Sequence, residues 1–90
     1  NTDARLNTGV ILLQQGDPQG ALREFETLLQ HDAAQAEAHL YAGVILGQHL
    51  DDESGALRHW KRFLELAPSH PEAAKIRAVV ARADAARDTR

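Results

Sequence analysis

Two stretches of this chain of 90 residues are each written twice. Gly20-Ala21-Leu22-Arg23-Glu24-Phe25-Glu26-Thr27-Leu28-Leu29 returns as Gly55-Ala56-Leu57-Arg58-His59-Trp60-Lys61-Arg62-Phe63-Leu64, and Gly9-Val10-Ile11-Leu12-Leu13-Gln14 returns as Gly43-Val44-Ile45-Leu46-Gly47-Gln48. Gly9 and Gly43 are 34 residues apart and Ala21 and Ala56 are 35 apart, so the repeating unit is larger than one helix. Units of this length cannot bury their own apolar face alone and stack on a neighbour. The repeat therefore implies a scaffold before it implies any chemistry.

Taken in order, the spacing predicts five helices. Asp3 is placed to cap a first helix whose apolar residues Leu6, Val10, Ile11 and Leu13 recur at three- and four-residue steps. Gly16-Asp17-Pro18 ends it and starts the next: Gly16 suits the left-handed position after a helix, Asp17 an N-cap, and Pro18 the first helical position. The second helix carries Ala21, Leu22, Phe25, Leu28 and Leu29 on one stripe to about Gln30. A third is expected from Gln35 to His49, and a fourth, capped by Asp51 or Asp52 and stopped by Pro68, has the stripe Ala56, Leu57, Trp60, Phe63 and Leu64. Gly9 to Ala21 is 12 residues and Gly43 to Ala56 is 13, so the second connection holds one extra residue. A fifth helix, started by Ser69 or His70 with Pro71, puts Ile76, Val79, Val80 and Ala83 on one side and most charges on the other, as a cap on the end of a stack would. Residues 1–34 and 35–69 are thus two repeats and 70–90 a capping helix, together one domain.

These residues resemble the tetratricopeptide repeat family, whose unit is a 34-residue helix-turn-helix. The resemblance rests on Gly9 and Gly43 at the small position of the first helix, on the Gly16-Asp17 turn, on Ala21-Leu22-Phe25 and Ala56-Leu57-Trp60, and on the closing Pro68. Arg5 and His39 stand where the family usually has Trp or Leu, Leu28 and Phe63 where it has a small residue, and Ala33 in place of the first closing proline. The stretch from Trp60 to Pro68 is also similar to bacterial members in envelope and cytochrome assembly, a generic likeness that assigns no pathway. The resemblance implies an all-α fold, a five-helix right-handed α-α superhelix with a concave groove lined by the first helix of each repeat. Carried over by position, the groove is Leu6, Val10, Leu13 and Gln14, then Leu40, Val44, Gly47 and Gln48, then Lys75 and Val79. The Gly9 and Gly43 echoes are expected to face it. The Lys and Asn clamp with which chaperone-binding members hold a C-terminal carboxylate is not matched, since Leu6, Val10, Leu40 and Val44 occupy those places.

A groove of this composition suits the apolar face of an amphipathic helix or a hydrophobic peptide. The expected function is a non-catalytic protein-interaction scaffold without a cofactor; the alternatives are a homo-oligomerisation module and, remotely, a metal-binding enzyme fragment. The metal alternative rests on five histidines, at positions 31, 39, 49, 59 and 70, whose steps of eight to eleven residues suggest no common helix face and no convergence. Ser54 and Ser69 are the only serines, and both read as helix caps rather than nucleophiles. Asp51-Asp52-Glu53 lacks the glycine and alternating oxygens of a calcium loop and reads as a capping turn.

Charge and composition narrow the partners. The net charge is −3, made of −5 over residues 1–69 and +2 over 70–90, and Phe25, Tyr41, Trp60 and Phe63 all fall on packing faces, so no basic stripe with stacking aromatics is present for nucleic acid. Apolar runs of about four residues are far short of the roughly 20 needed to span a bilayer, and membrane insertion of these residues is not expected. Without cysteine there is no disulfide or thiolate site. A chain that begins at Asn1 and contains no Met is expected to be a piece of a longer protein, which leaves the compartment open.

Overall fold

Where the sequence alternates helical stripes with Gly, Asp and Pro signals, the chain folds as five α-helices. The structure, a computed structural model, describes residues 2–88. Its helices are α1 (Thr2–Gln14), α2 (Pro18–His31), α3 (Ala36–Gln48), α4 (Glu53–Leu66) and α5 (Ala73–Asp88), with no strand among the described residues. Each helix packs on the next in the chain, and α1 also touches α3. The product is an elongated body of 42 × 26 × 21 Å.

The turns show how the repeat is punctuated. Gly16 takes φ 85°, and the Asp17 carboxylate accepts the Gly20 N–H at 2.9 Å, with Pro18 opening α2. In the second unit Asp51 takes the left-handed role at φ 55° and Asp52 caps α4 by accepting the Gly55 N–H at 3.0 Å. The extra residue falls before Asp51. It widens the end of α3, where the Leu50 N–H reaches back to the Ile45 carbonyl and the Asp52 N–H to that of Leu46. Removing either cap carboxylate with Asp17→Ala or Asp52→Ala is expected to cost about 1 kcal/mol. The sites are independent, so the double variant should lose about twice that in chemical denaturation; an unchanged midpoint would contradict the capping role.

Four expectations are corrected. Asp3 lies inside the first turn of α1, which begins at Thr2, rather than before it. α3 runs from Ala36 to Gln48 rather than from Gln35 to His49, and the turn before it is held by Asp32, which accepts from the Ala34 N–H and the Gln35 side chain. Ser54 sits within α4 because Asp52 already supplies the cap. α5 starts at Ala73, two residues after Pro71, because the His70 imidazole accepts the Glu72 N–H at 3.0 Å and the His70 carbonyl the Ala73 N–H at 2.9 Å, holding the chain in turns.

Two apolar clusters form the core. One gathers Ala21, Phe25, Leu28, Ala38 and Ile45 from α2 and α3, with Leu6, Val10 and Leu13 of α1 against it. The other gathers Leu40, Ala56, Leu57, Trp60, Phe63, Ala73, Ile76 and Val80 from α3, α4 and α5. Gly9 and Gly43 are buried and turned to these clusters, not to the groove. A Cβ built on Gly9 would come within 2.6 Å of the Phe25 ring, and one on Gly43 would overlap the Trp60 indole. Phe25 and Trp60 are the same position of the two repeats, so one glycine–aromatic contact closes both helix pairs. The stacking direction also shows in burial: Ile45 is fully buried under α2, whereas its equivalent Ile11, with no helix before it among the described residues, is 50% exposed.

Candidate functional site

The first helices of the two units and the last helix share one face. Between them lies a cavity of about 350 Å³ lined by Leu13 of α1, Leu40, Tyr41, Val44 and Gln48 of α3, Trp60 of α4, and Glu72, Lys75, Ile76 and Val79 at α5. Its floor is set by α4. The Trp60 ring lies on Gly43 and its Nε1–H donates to the Leu40 carbonyl at 3.3 Å, which fixes the indole against α3. Tyr41 forms another wall and stacks on Phe25 at 5.4 Å and 10°, tying the cavity to the core between the units. The lining is apolar at depth, while Gln48, Glu72 and Lys75 are exposed around it.

Of the ten expected groove residues, Leu13, Leu40, Val44, Gln48, Lys75 and Val79 come together here. The other four do not line the cavity. Leu6 and Val10 are half-buried and packed toward Phe25, Gln14 is exposed, and Gly47 backs onto α4, where an added Cβ would meet Ala56 at 3.3 Å and Trp60 at 3.4 Å. Val44 serves both purposes, since it lines the cavity and packs against the α4–α5 cluster. Tyr41, Trp60, Glu72 and Ile76 were not expected in the lining. Trp60 could have been found from its place opposite Gly43, because a large ring over a glycine reaches through to the helix's other side.

Lys75 makes no ion pair among the described residues. Other cations of α4 and α5 are engaged: Lys61 bonds Asp84 across the two helices at 3.3 Å, Arg62 bonds Glu65, and the Arg77 guanidinium donates to the Pro68 carbonyl. At the groove the chain thus presents one uncommitted ammonium beside an apolar cavity.

The histidines behave differently from expectation. His39 and His59 converge across α3 and α4, with their Nδ1 atoms 3.0 Å apart, and the His39 Nε2 lies 2.9 Å from the Ala33 carbonyl. Convergence was missed because the two are 20 residues apart on different helices, yet the repeat carries the signal. His39 is the equivalent of Arg5 and His59 of Glu24, and Arg5 and Glu24 form the ion pair that bridges α1 and α2 at 3.8 Å. Both units place a polar pair at this node. His70, by contrast, rests edge-on against Phe63 and reaches Glu37 at 3.6 Å. Among the described residues no three His, Asp or Glu side chains gather as a metal site would require. None of the described helices is long and apolar enough to cross a membrane.

No family model matches the chain, and no curated protein matches it either.

Proposed function

We propose that this chain is a non-catalytic binding module of the tetratricopeptide type, two helix-turn-helix units and a capping helix wound as a right-handed superhelix, which receives an amphipathic helix bearing a carboxylate. The repeated glycine–aromatic contact, the Gly-Asp turn and the single lined face on α1, α3 and α5 support the repeat reading. The observation that carries the binding reading is the apolar cavity with Lys75 beside it, unpaired among the described residues.

Volume and polarity select the occupant. At about 350 Å³ the cavity holds a few side chains, not a whole helix. Small-molecule sites of similar size converge polar groups on their ligand. Here Gln48, Glu72 and Lys75 lie exposed rather than at the floor, an arrangement that suits apolar anchors at i, i+3 and i+4 of a helix lying across the opening. An acidic residue of that helix would meet the Lys75 ammonium.

The reading is tested by calorimetry with a synthetic amphipathic helix carrying leucines at i, i+3, i+4 and i+7 and one glutamate. Binding should weaken about three- to tenfold in Lys75→Glu, since reversing an exposed charge turns a gain of up to about 1 kcal/mol into repulsion, with Tm unchanged. Equal affinity for the variant would remove the carboxylate from the account. No binding to either protein, together with sedimentation showing a dimer, would give the groove to a second copy of the chain.

A further inference from the structure

We infer that His39 and His59 form a proton-sensitive latch between α3 and α4, closed when both imidazoles are neutral and opened when both are charged. The pair is built head-on. Its ring centroids are 5.2 Å apart and its Nδ1 atoms 3.0 Å apart, and the 2.2 Å difference is two imidazole radii, so each ring points Nδ1 at the other. That is the geometry of an N–H···N hydrogen bond. A carbonyl only accepts, so the Ala33 carbonyl requires the His39 Nε2 to carry a hydrogen. The neutral His39 Nδ1 is then an acceptor and the His59 Nδ1 must donate to it. One tautomer on each ring satisfies the whole chain.

Protons undo this. One on the outer Nε2 of His59 leaves the Nδ1–H···Nδ1 bond in place. A second must land on the His39 Nδ1, where it faces the His59 Nδ1–H and sets two cations against each other inside a residue pair of which His39 is only 9% exposed. Burial already pushes His59 below its ordinary value, with His39 and Arg58 adding to the depression.

The surrounding charges do not cancel the effect. Arg58 on α4 is of the same sign; Glu26 of α2 borders the same surface notch as His59 without an ion pair to it; the Asp32 carboxylate is taken by the Ala34 N–H and the Gln35 side chain; and Glu37 reaches His70. The first unit supplies the comparison. Its Arg5–Glu24 pair at the same node is attractive across the range in which the histidines titrate, so acid loosens the second unit and spares the first. Leu40 and Trp60, next in sequence to the latch residues, line the cavity, while His59 itself borders a separate notch with Glu26, Leu29 and Gln30 of α2.

The sign follows from linkage. A histidine depressed in the folded state binds fewer protons than the unfolded chain, so stability is complete above the unfolded value of 6.5 and is lost as pH falls through it toward the depressed one. Long-range nitrogen–proton NMR on the full chain at about pH 8 should find His39 as the Nε2–H tautomer and His59 as the Nδ1–H tautomer; any other combination overturns the latch. In denaturation from about pH 7.5 to 5, each extra proton taken up by the unfolded chain raises the unfolding constant by up to tenfold per pH unit. That slope should flatten in His59→Gln and persist in His31→Gln, whose histidine is exposed. Parallel slopes in all three proteins would overturn the proposal. Should His59→Gln fail to fold, His39→Arg with His59→Glu transplants the first unit's pair and must give the same flattening.

Discussion

Phe25→Ala is expected to destabilise the chain by about 3–5 kcal/mol, the range for removing a fully buried aromatic ring. The ring is completely buried, presses on Gly9 of α1, and stacks on Tyr41 of α3, so one side chain joins three helices and both units. The cavity it leaves cannot collapse easily. Gly9 has no side chain to move into it, and Ile45 and Leu28 are fixed in the same cluster. For a domain of this size the total stability is about 5–15 kcal/mol, so the variant stands near its unfolding threshold. Each lost kcal/mol lowers Tm by roughly 4–8 °C. Thermal unfolding followed by circular dichroism measures this directly; a loss below about 1 kcal/mol would mean that Phe25 is not the joint between the units.

Gly43→Leu should have an effect of comparable size with the opposite cause. Its Cβ would fall within the Trp60 indole, and that ring cannot retreat because its Nε1–H is held at the Leu40 carbonyl and Phe63, Leu57 and Ile76 complete the cluster around it. Overpacking of this kind costs about 1–3 kcal/mol or more. Gly43→Ala separates the terms. Alanine gains about 1 kcal/mol of helix propensity over glycine, so a net loss in this smaller variant shows that steric overlap outweighs propensity. Gly47→Ala is the comparison, because its added Cβ meets only slightly tight contacts at 3.3–3.4 Å, so part of the propensity gain should survive and Tm should hold or rise slightly. A Gly43→Ala protein more stable than wild type would contradict the close approach of α3 and α4.

How much of this was legible in the sequence depends on which signals the repeat doubles. The four helices of the two units were legible because Gly16-Asp17-Pro18 and Asp51-Asp52 mark the same joint and the stripes of α2 and α4 coincide residue by residue. The start of α5 was not, because the His70 imidazole takes the Glu72 amide and nothing in a Ser-His-Pro-Glu string announces which side chain will do so. Six of the ten expected groove residues line one cavity, four of them from α1 and α3 and two from α5. Leu6 and Val10 do not, since α1 tilts those positions onto the Phe25 cluster and only its last turn reaches the cavity through Leu13. Gly9 and Gly43 were legible as the small residues of a close helix approach, and the rings of Phe25 and Trp60 lie where their side chains would be. The histidine pair was legible only through the equivalence of positions 5 with 39 and 24 with 59, which is a relation between two repeats rather than a spacing along one helix.

Three helices, distant in sequence, are proposed to present one apolar groove to one helical partner. Methyl NMR during titration with the leucine- and glutamate-bearing peptide tests it most directly. Leu13, Val44 and Val79, on α1, α3 and α5, should shift together with one affinity, while Leu22 and Leu29 on α2 stay in place. Shifts centred on α2 and α4, or on the exposed Ile11, would contradict it.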